Sequence, residues 1–150
     1  MKKGDQIISF ELPDQDGNTF KLSDAVGQNN LVIYFYPKDD TPGCTKEACS
    51  FRDSLKEFDN LDAKVIGISA DSVESHKTFA EKYNLNFTLL SDTQRKVRRL
   101  FKVSGDLFGI LDGRVTFVID KNGIVQHVYR SQLNSTKHIE EAKTTLEKLS

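Results

Sequence analysis

From Leu31 to Tyr36 every residue is apolar or aromatic, and Pro37 then ends the run. Short, aromatic and β-branched, and bounded by turn residues, it predicts a buried strand. A polar loop, Lys38-Asp39-Asp40, follows, and beyond Thr41 the period changes. Cys44, Ala48, Phe51, Leu55 and Phe58 recur at spacings of four, three, four and three, which is one apolar stripe of a core-facing helix. Thr41 suits the N-cap of that helix and Pro42 its first position.

The same reading extends along the chain. Ser9 to Leu12 and Thr19 to Leu22 flank Pro13 to Asn18 and predict a β-hairpin, with Ser23 or Asp24 opening a short turn. Lys64 to Ser69 is a second buried strand, Ser72 to Tyr83 a helix with Val73, His76, Phe79, Ala80 and Tyr83 on one face, and Phe87 to Leu90 a third strand. Ser91-Asp92 ends that strand and caps a helix from Thr93 to Phe101. Val115 to Asp120 and Ile124 to Tyr129 bracket Lys121-Asn122-Gly123, a hairpin signal that makes them antiparallel. The last segment, Ser135 to Leu149, is an amphipathic helix with Ile139, Ala142, Leu146 and Leu149 inward. Strand, helix, strand, helix, strand, hairpin and helix give an α/β layered domain of residues 1–150, with no repeat or linker.

Composition narrows the function. With 150 residues, 37 % hydrophobic and 29 % charged, the chain suits one soluble domain with a sizeable core. A net charge of -1 gives no reason to expect nucleic acid or an anionic membrane as partner. The cluster Arg95, Lys96, Arg98, Arg99 reads as a solvated helix face. Asp14-x-Asp16-Gly17 lacks the later ligands of a calcium loop, and two cysteines with His76, His127 and His138 make no zinc spacing, so neither metal nor cofactor is expected. His76 reads as a packed or capping histidine. Polar residues interrupt the basic N-terminus, which predicts no signal peptide or membrane span and a reducing cytoplasm. Gly105, Gly109 and Gly113 lie among Leu107, Phe108, Ile110 and Leu111, a loop read as a lid or a contact surface.

The candidate chemistry is in the cysteines. Cys44 falls in the first turn of its helix, where unpaired N–H groups and the positive end of the dipole favour a thiolate and so a nucleophile. Cys49 lies five residues on. In an intact helix that places the Cα atoms roughly 8.5 Å apart with side chains about 140° apart. A disulfide wants Cα atoms within about 7 Å. If these two cysteines pair, the helix start must unwind first; the alternative is that both are ordinary buried residues.

Pro37-x-x-x-Thr41-x-x-Cys44 resembles the active-site motif of the peroxiredoxins. The longer string YPKDDTPGCTKEACSFRD, from Tyr36 to Asp53, resembles their bacterioferritin comigratory protein or peroxiredoxin Q subgroup. FELPDQDGNTFKLSD resembles the family's N-terminal hairpin and RVTFVID its arginine strand. The resemblance implies a thioredoxin-like fold with an N-terminal hairpin and a thiol peroxidase acting on hydrogen peroxide and organic hydroperoxides. It implies Cys44 as the peroxidatic cysteine, Cys49 as the one that resolves its sulfenic acid in a disulfide, and thioredoxin or a related dithiol as reductant. Arg114, taken by itself an exposed strand-end arginine, becomes a partner of Cys44. Thr41, Gly43, Cys44 and Arg114 are expected to hold the peroxide, Pro37 to shape and shield the loop, and Glu47 to orient Arg114 or favour the helix start. Removing Arg114 is expected to slow peroxide attack with little effect on folding. A monomer is expected, with a dimer open. A disulfide oxidoreductase is a weaker reading, because four residues separate the cysteines and no proline follows Pro42. A redox-sensing binding module rests on the basic cluster and the Leu107–Leu111 loop.

Overall fold

The computed structural model describes residues 1–106, 109 and 111–150. Leu107, Phe108 and Ile110, which carry the expected lid or contact surface, lie outside the described residues. The elements in chain order are β1 (Glu11–Pro13), β2 (Thr19–Lys21), α1 (Leu22–Ala25), β3 (Asn30–Phe35), α2 (Pro42–Asp53), α3 (Leu55–Asn60), β4 (Ala63–Ser69), α4 (Val73–Tyr83), β5 (Thr88–Ser91), α5 (Lys96–Leu100), β6 (Val115–Ile119), β7 (Val125–Arg130) and α6 (Lys137–Leu149).

β3 is the middle of a five-stranded mixed sheet ordered β5-β4-β3-β6-β7. Its period of two separates the protein into two cores. Val32, Tyr34 and Tyr36 face Cys44, Ala48 and Phe51 of α2, Phe58 of α3, Phe79 of α4 and Ile139, Ala142 and Leu146 of α6. Leu31, Ile33 and Phe35 face the other way, onto Leu22, Val97, Phe101 and Phe117. A continuous apolar run is what a strand covered on both faces requires. β1 and β2 form the expected hairpin, closed where Asp14 Oδ1 accepts from the backbone N–H groups of Asp16 and Asn18.

Topology fixes where chemistry can occur. β3 runs parallel to β4 and antiparallel to β6. The antiparallel register sets Phe35 opposite Val115. The residue that precedes β6, Arg114, is thereby brought beside the exit of β3, where the loop to Cys44 begins. That these two ends meet is not visible from local periodicity.

Three sequence expectations are corrected. The stripe from Cys44 to Phe58 is two helices, because the backbone turns at Ser54 (φ -105°, ψ 4°). The helix expected from Thr93 starts at Lys96. Arg95 is left-handed (φ 55°), and Asp92 caps from further back, its carboxylate accepting from the N–H groups of Val97 (3.1 Å) and Arg98 (2.9 Å). Leu149, expected inward, is 39 % exposed, since it lies in the final turn beyond the contacts that seat Leu146.

Candidate active site

The C-terminal end of β3, the first turn of α2 and the start of β6 converge on Cys44. Its side chain is 1 % exposed and sits on the apolar face of α2. The first intrahelical bond runs from the N–H of Thr45 to the carbonyl of Thr41 (2.8 Å). The N–H groups of Gly43 and Cys44 are therefore among those a helix start leaves without an intrahelical acceptor, at the positive end of its dipole.

Arg114, read in isolation as an exposed strand-end residue, is 4 % exposed. All three of its guanidinium nitrogens are used. Nη2 donates to Cys44 Sγ (3.2 Å), Nη1 to Glu47 Oε1 (2.6 Å) and Nε to the carbonyl of Gln132 (3.2 Å). A planar fork suits this task, since its donors point in fixed directions. Gly43 makes room for it: a Cβ there would stand 3.1 Å from Nη2 and 3.4 Å from Ser135 Oγ. Of the two roles expected of Glu47, the geometry displays contact with the arginine.

The other expected residues are placed as follows. Thr41 occupies the N-cap position in extended conformation, but its hydroxyl donates to the carbonyl of Lys38 (2.9 Å) and makes no side-chain cap bond. Pro37 is half-buried directly after Tyr36. Cys49 is half-buried within the same helix as Cys44, and both thiols are free.

Behind Arg114 lies a buried pair of titratable groups. His138 Nε2 donates to the carbonyl of Ser131 (2.8 Å), so Nδ1 accepts from the Thr116 hydroxyl (2.7 Å). Burial pushes His138 down to about 4 and keeps it neutral. Burial pushes Glu47 up to about 8, with the charge and hydrogen bond of Arg114 acting the other way. These shifts give stability opposite slopes with pH. A buried carboxyl with a raised value holds a proton that the unfolded chain releases. Its contribution is complete below about 4.5 and is lost as pH rises through 8. His138 contributes in the other sense, with stability rising between about 4 and 6.5. Between 6.5 and 8 Glu47 lowers stability as pH rises, while the Met1 amine, held below its usual value by burial, acts in the other sense. Urea midpoints should therefore fall more steeply across this window in the parent than in Glu47→Gln. An equal slope in both proteins would assign the effect elsewhere.

Sequence reading missed how firmly the Pro37–Thr41 loop is fastened. Asp39 is 7 % exposed; its Oδ1 accepts from Tyr36 OH (2.6 Å), and its Oδ2 accepts from Ser75 Oγ (2.8 Å) and meets His76 Nδ1 (2.7 Å). Its N–H donates to Asp71 Oδ2 (2.8 Å). Asp40, left-handed at φ 55°, accepts from Lys82 Nζ and Tyr83 OH, each at 2.7 Å. His76, fully buried, donates through Nε2 to the carbonyl of Leu90 (2.9 Å), which makes it a packed histidine that braces the loop. Asp39, Asp71 and His76 bring ligand atoms within 4.8 Å of one another, but hydrogen bonds already engage them. The two consecutive aspartates after Pro37 were the available signal.

The AhpC/TSA family pattern matches residues 3–128. The chain belongs to the AhpC/TSA family. A chloroplastic peroxiredoxin Q of Sedum lineare is 54 % identical over 147 residues, 98 % of this chain and 78 % of that protein. Among solved structures, the peroxidoxin BcpB of Mycobacterium tuberculosis superposes with a TM-score of 0.93 at 43 % identity, covering 100 % of this chain and 99 % of that one. The bacterioferritin comigratory protein of Xanthomonas campestris, described in connection with alkyl peroxide reduction, gives 0.85 at 34 % identity, with 93 % and 91 % covered. This AhpC/TSA member is a thiol-dependent peroxidase with the peroxiredoxin elaboration of the thioredoxin-like fold, as its sequence resemblance implied. Among the described residues no helix is long and apolar enough to cross a membrane.

Proposed function

We propose that this peroxidase uses Cys44 as its peroxidatic cysteine and Cys49 as its resolving cysteine. The observation that carries the reading is the contact of Arg114 Nη2 with Cys44 Sγ, 3.2 Å long, at the first turn of α2. The guanidinium donates to the sulfur, and the free N–H groups of that turn lie at the same helix start. Thiolate sulfur attacks one oxygen of the hydroperoxide in line, and the O–O bond breaks. The sulfur keeps one oxygen and the proton as a sulfenic acid, and the departing alkoxide or hydroxide takes a proton from water. Arg114 and the N–H groups of Gly43 and Cys44 stabilise charge developing on the leaving oxygen, and the Thr41 hydroxyl joins them once it turns from the Lys38 carbonyl. Pro37 keeps bulk water from the sulfur. Cys49 then attacks the sulfenic sulfur, water leaves, and a disulfide forms. A dithiol, thioredoxin or a related carrier, reduces it and restores two thiols.

Hydrogen peroxide and organic hydroperoxides are both proposed substrates, the latter supported by the alkyl peroxide activity attributed to the Xanthomonas relative. We take residues 1–150 to act as one peroxiredoxin domain, monomeric in solution. The cytoplasmic setting expected from the sequence gets no support from the plant relatives, whose names carry a chloroplast address. A compartment supplied with reduced dithiols is what the mechanism needs.

Both cysteines lie within one continuous helix, Pro42–Asp53, so pairing requires the start of α2 to unwind. One equivalent of peroxide should remove two hydrogens from the intact protein and link Cys44 to Cys49 in a peptide map. Hydrogen exchange in residues 42–50 should rise on oxidation. Cys49→Ser should consume one equivalent of peroxide and then stop cycling with thioredoxin. A variant that cycles at the parent rate, or exchange unchanged by oxidation, would remove the resolving step as written.

A further inference from the structure

Sequence reading took Arg95, Lys96, Arg98 and Arg99 for a solvated face. Arg98 is 4 % exposed instead. Its Cζ lies 5.4 Å from the centre of the Phe35 ring, and its N–H is held by Asp92 Oδ2. Its two terminal nitrogens reach backbone rather than a carboxylate. Nη1 donates to the carbonyl of Gly113 (2.7 Å) and Nη2 to the carbonyl of Tyr36 (3.0 Å). These carbonyls belong to the residues just before Arg114 and just before Pro37. One rigid fork therefore bridges the backbone that presents the arginine and the backbone that leads to the cysteine.

We propose that Arg98 is a positioning residue for the peroxidase reaction, setting the distance and angle between Arg114 and Cys44 from outside the site. The inference rests on the roles given to Cys44 and Arg114 above. Neighbouring contacts point the same way. Arg95 Nε reaches both carboxylate oxygens of Asp112 (3.0 and 3.1 Å), and Gln132 Nε2 donates to the carbonyl of Asp112 (2.7 Å). Residues 112 and 113 are thus gripped from α5 and from the segment after β7, immediately ahead of Arg114. The grip lies outside α2. It keeps the arginine in place while the start of α2 unwinds and rewinds around it, so each returning Cys44 meets the same donors.

A purely structural arginine would lower stability on removal and leave the communication with Arg114 untouched. A four-way comparison separates the two. The measured quantity is the single-turnover rate constant of Cys44 with hydrogen peroxide, in the parent, Arg98→Met, Arg114→Ala and the double variant. Displacing a reacting group by about 1 Å costs on the order of 100-fold, so Arg98→Met alone should lower the rate by about 10- to 100-fold. On the Arg114→Ala background the same change should alter it less than about twofold, because nothing remains to be positioned. An equal factor on both backgrounds, or no loss in the first, overturns the proposal. A rate unchanged by Arg114→Ala alone overturns the parent reading instead, and the inference falls with it. If Arg98→Met does not fold, Arg98→Lys takes its place. It keeps the charge but lacks the fork that spans two carbonyls, so the same pattern is expected.

Discussion

Cys44→Ser is expected to abolish peroxide turnover without unfolding the protein. Serine is nearly isosteric, and its place at the third position of α2 asks nothing of the sulfur as a helix former. What disappears is an ionisable nucleophile. A hydroxyl stays protonated at neutral pH even beside Arg114, and it has neither the polarisability of sulfur nor its ability to carry the transferred oxygen. Consumption of hydrogen peroxide in the presence of thioredoxin and its reductant should drop to background. The urea midpoint should move little, because the substitution leaves the packed neighbours Ala48 and Phe51 in place. Retained turnover in the serine variant would dismiss Cys44 as the nucleophile, whatever the behaviour of Cys49.

Arg114→Ala should damage both catalysis and stability, and the second effect reverses the expectation from sequence. Removing a donor aimed at developing charge costs on the order of 100- to 1,000-fold in rate. The rate of Cys44 oxidation should fall by that order. For folding, the relevant fact is Glu47, fully buried and paired to Arg114 at 2.6 Å. At pH 6 Glu47 already holds its proton, its value standing at about 8 with the arginine present, so removing Arg114 leaves a neutral buried carboxyl short of one donor and costs about 1–3 kcal/mol. Above pH 8 the parent carries a buried ion pair, and deleting one partner of such a pair typically destabilises by about 3–5 kcal/mol. The destabilisation is therefore smaller at pH 6 and larger at pH 9, where the lone carboxyl has to ionise or hold its proton against bulk base. Urea unfolding at both values tests this. Equal midpoints for parent and variant at pH 9 would mean that Glu47 is not balanced by Arg114.

The contrast between what was and was not readable in the chain follows from the range of the interactions involved. β3 announces itself because Leu31 to Tyr36 is one unbroken apolar run, and the apolar face of α2 because Cys44, Ala48 and Phe51 keep a helical period. The hairpin at Lys121-Asn122-Gly123 is legible for the same local reason. Arg114 is different. Its contact with Cys44 spans 70 residues and exists because β6 pairs antiparallel with β3, a fact of sheet order. Family resemblance supplied that partnership; periodicity did not. Arg98 was misread because charge was taken as a sign of solvent. Its three-residue spacing to Phe101, fully buried at the C-cap of the same helix, was a local hint that it points inward. Asp39 and Asp40 looked like ordinary loop residues, since their partners on α4 lie more than thirty positions away.

The aromatic stack beneath α2 sets a limit on how far oxidation can travel. Phe51 lies 4.5 Å from Tyr34 and 5.8 Å from Phe58, ring centre to ring centre, and is fully buried. The turn at Ser54 then decouples α3 from whatever happens upstream. Fraying that starts at Cys44 therefore meets a stopper seven residues on, just beyond the second cysteine. The disulfide form keeps its floor and loses only its doorway, and a reductant needs to recognise no more than that short loosened flap.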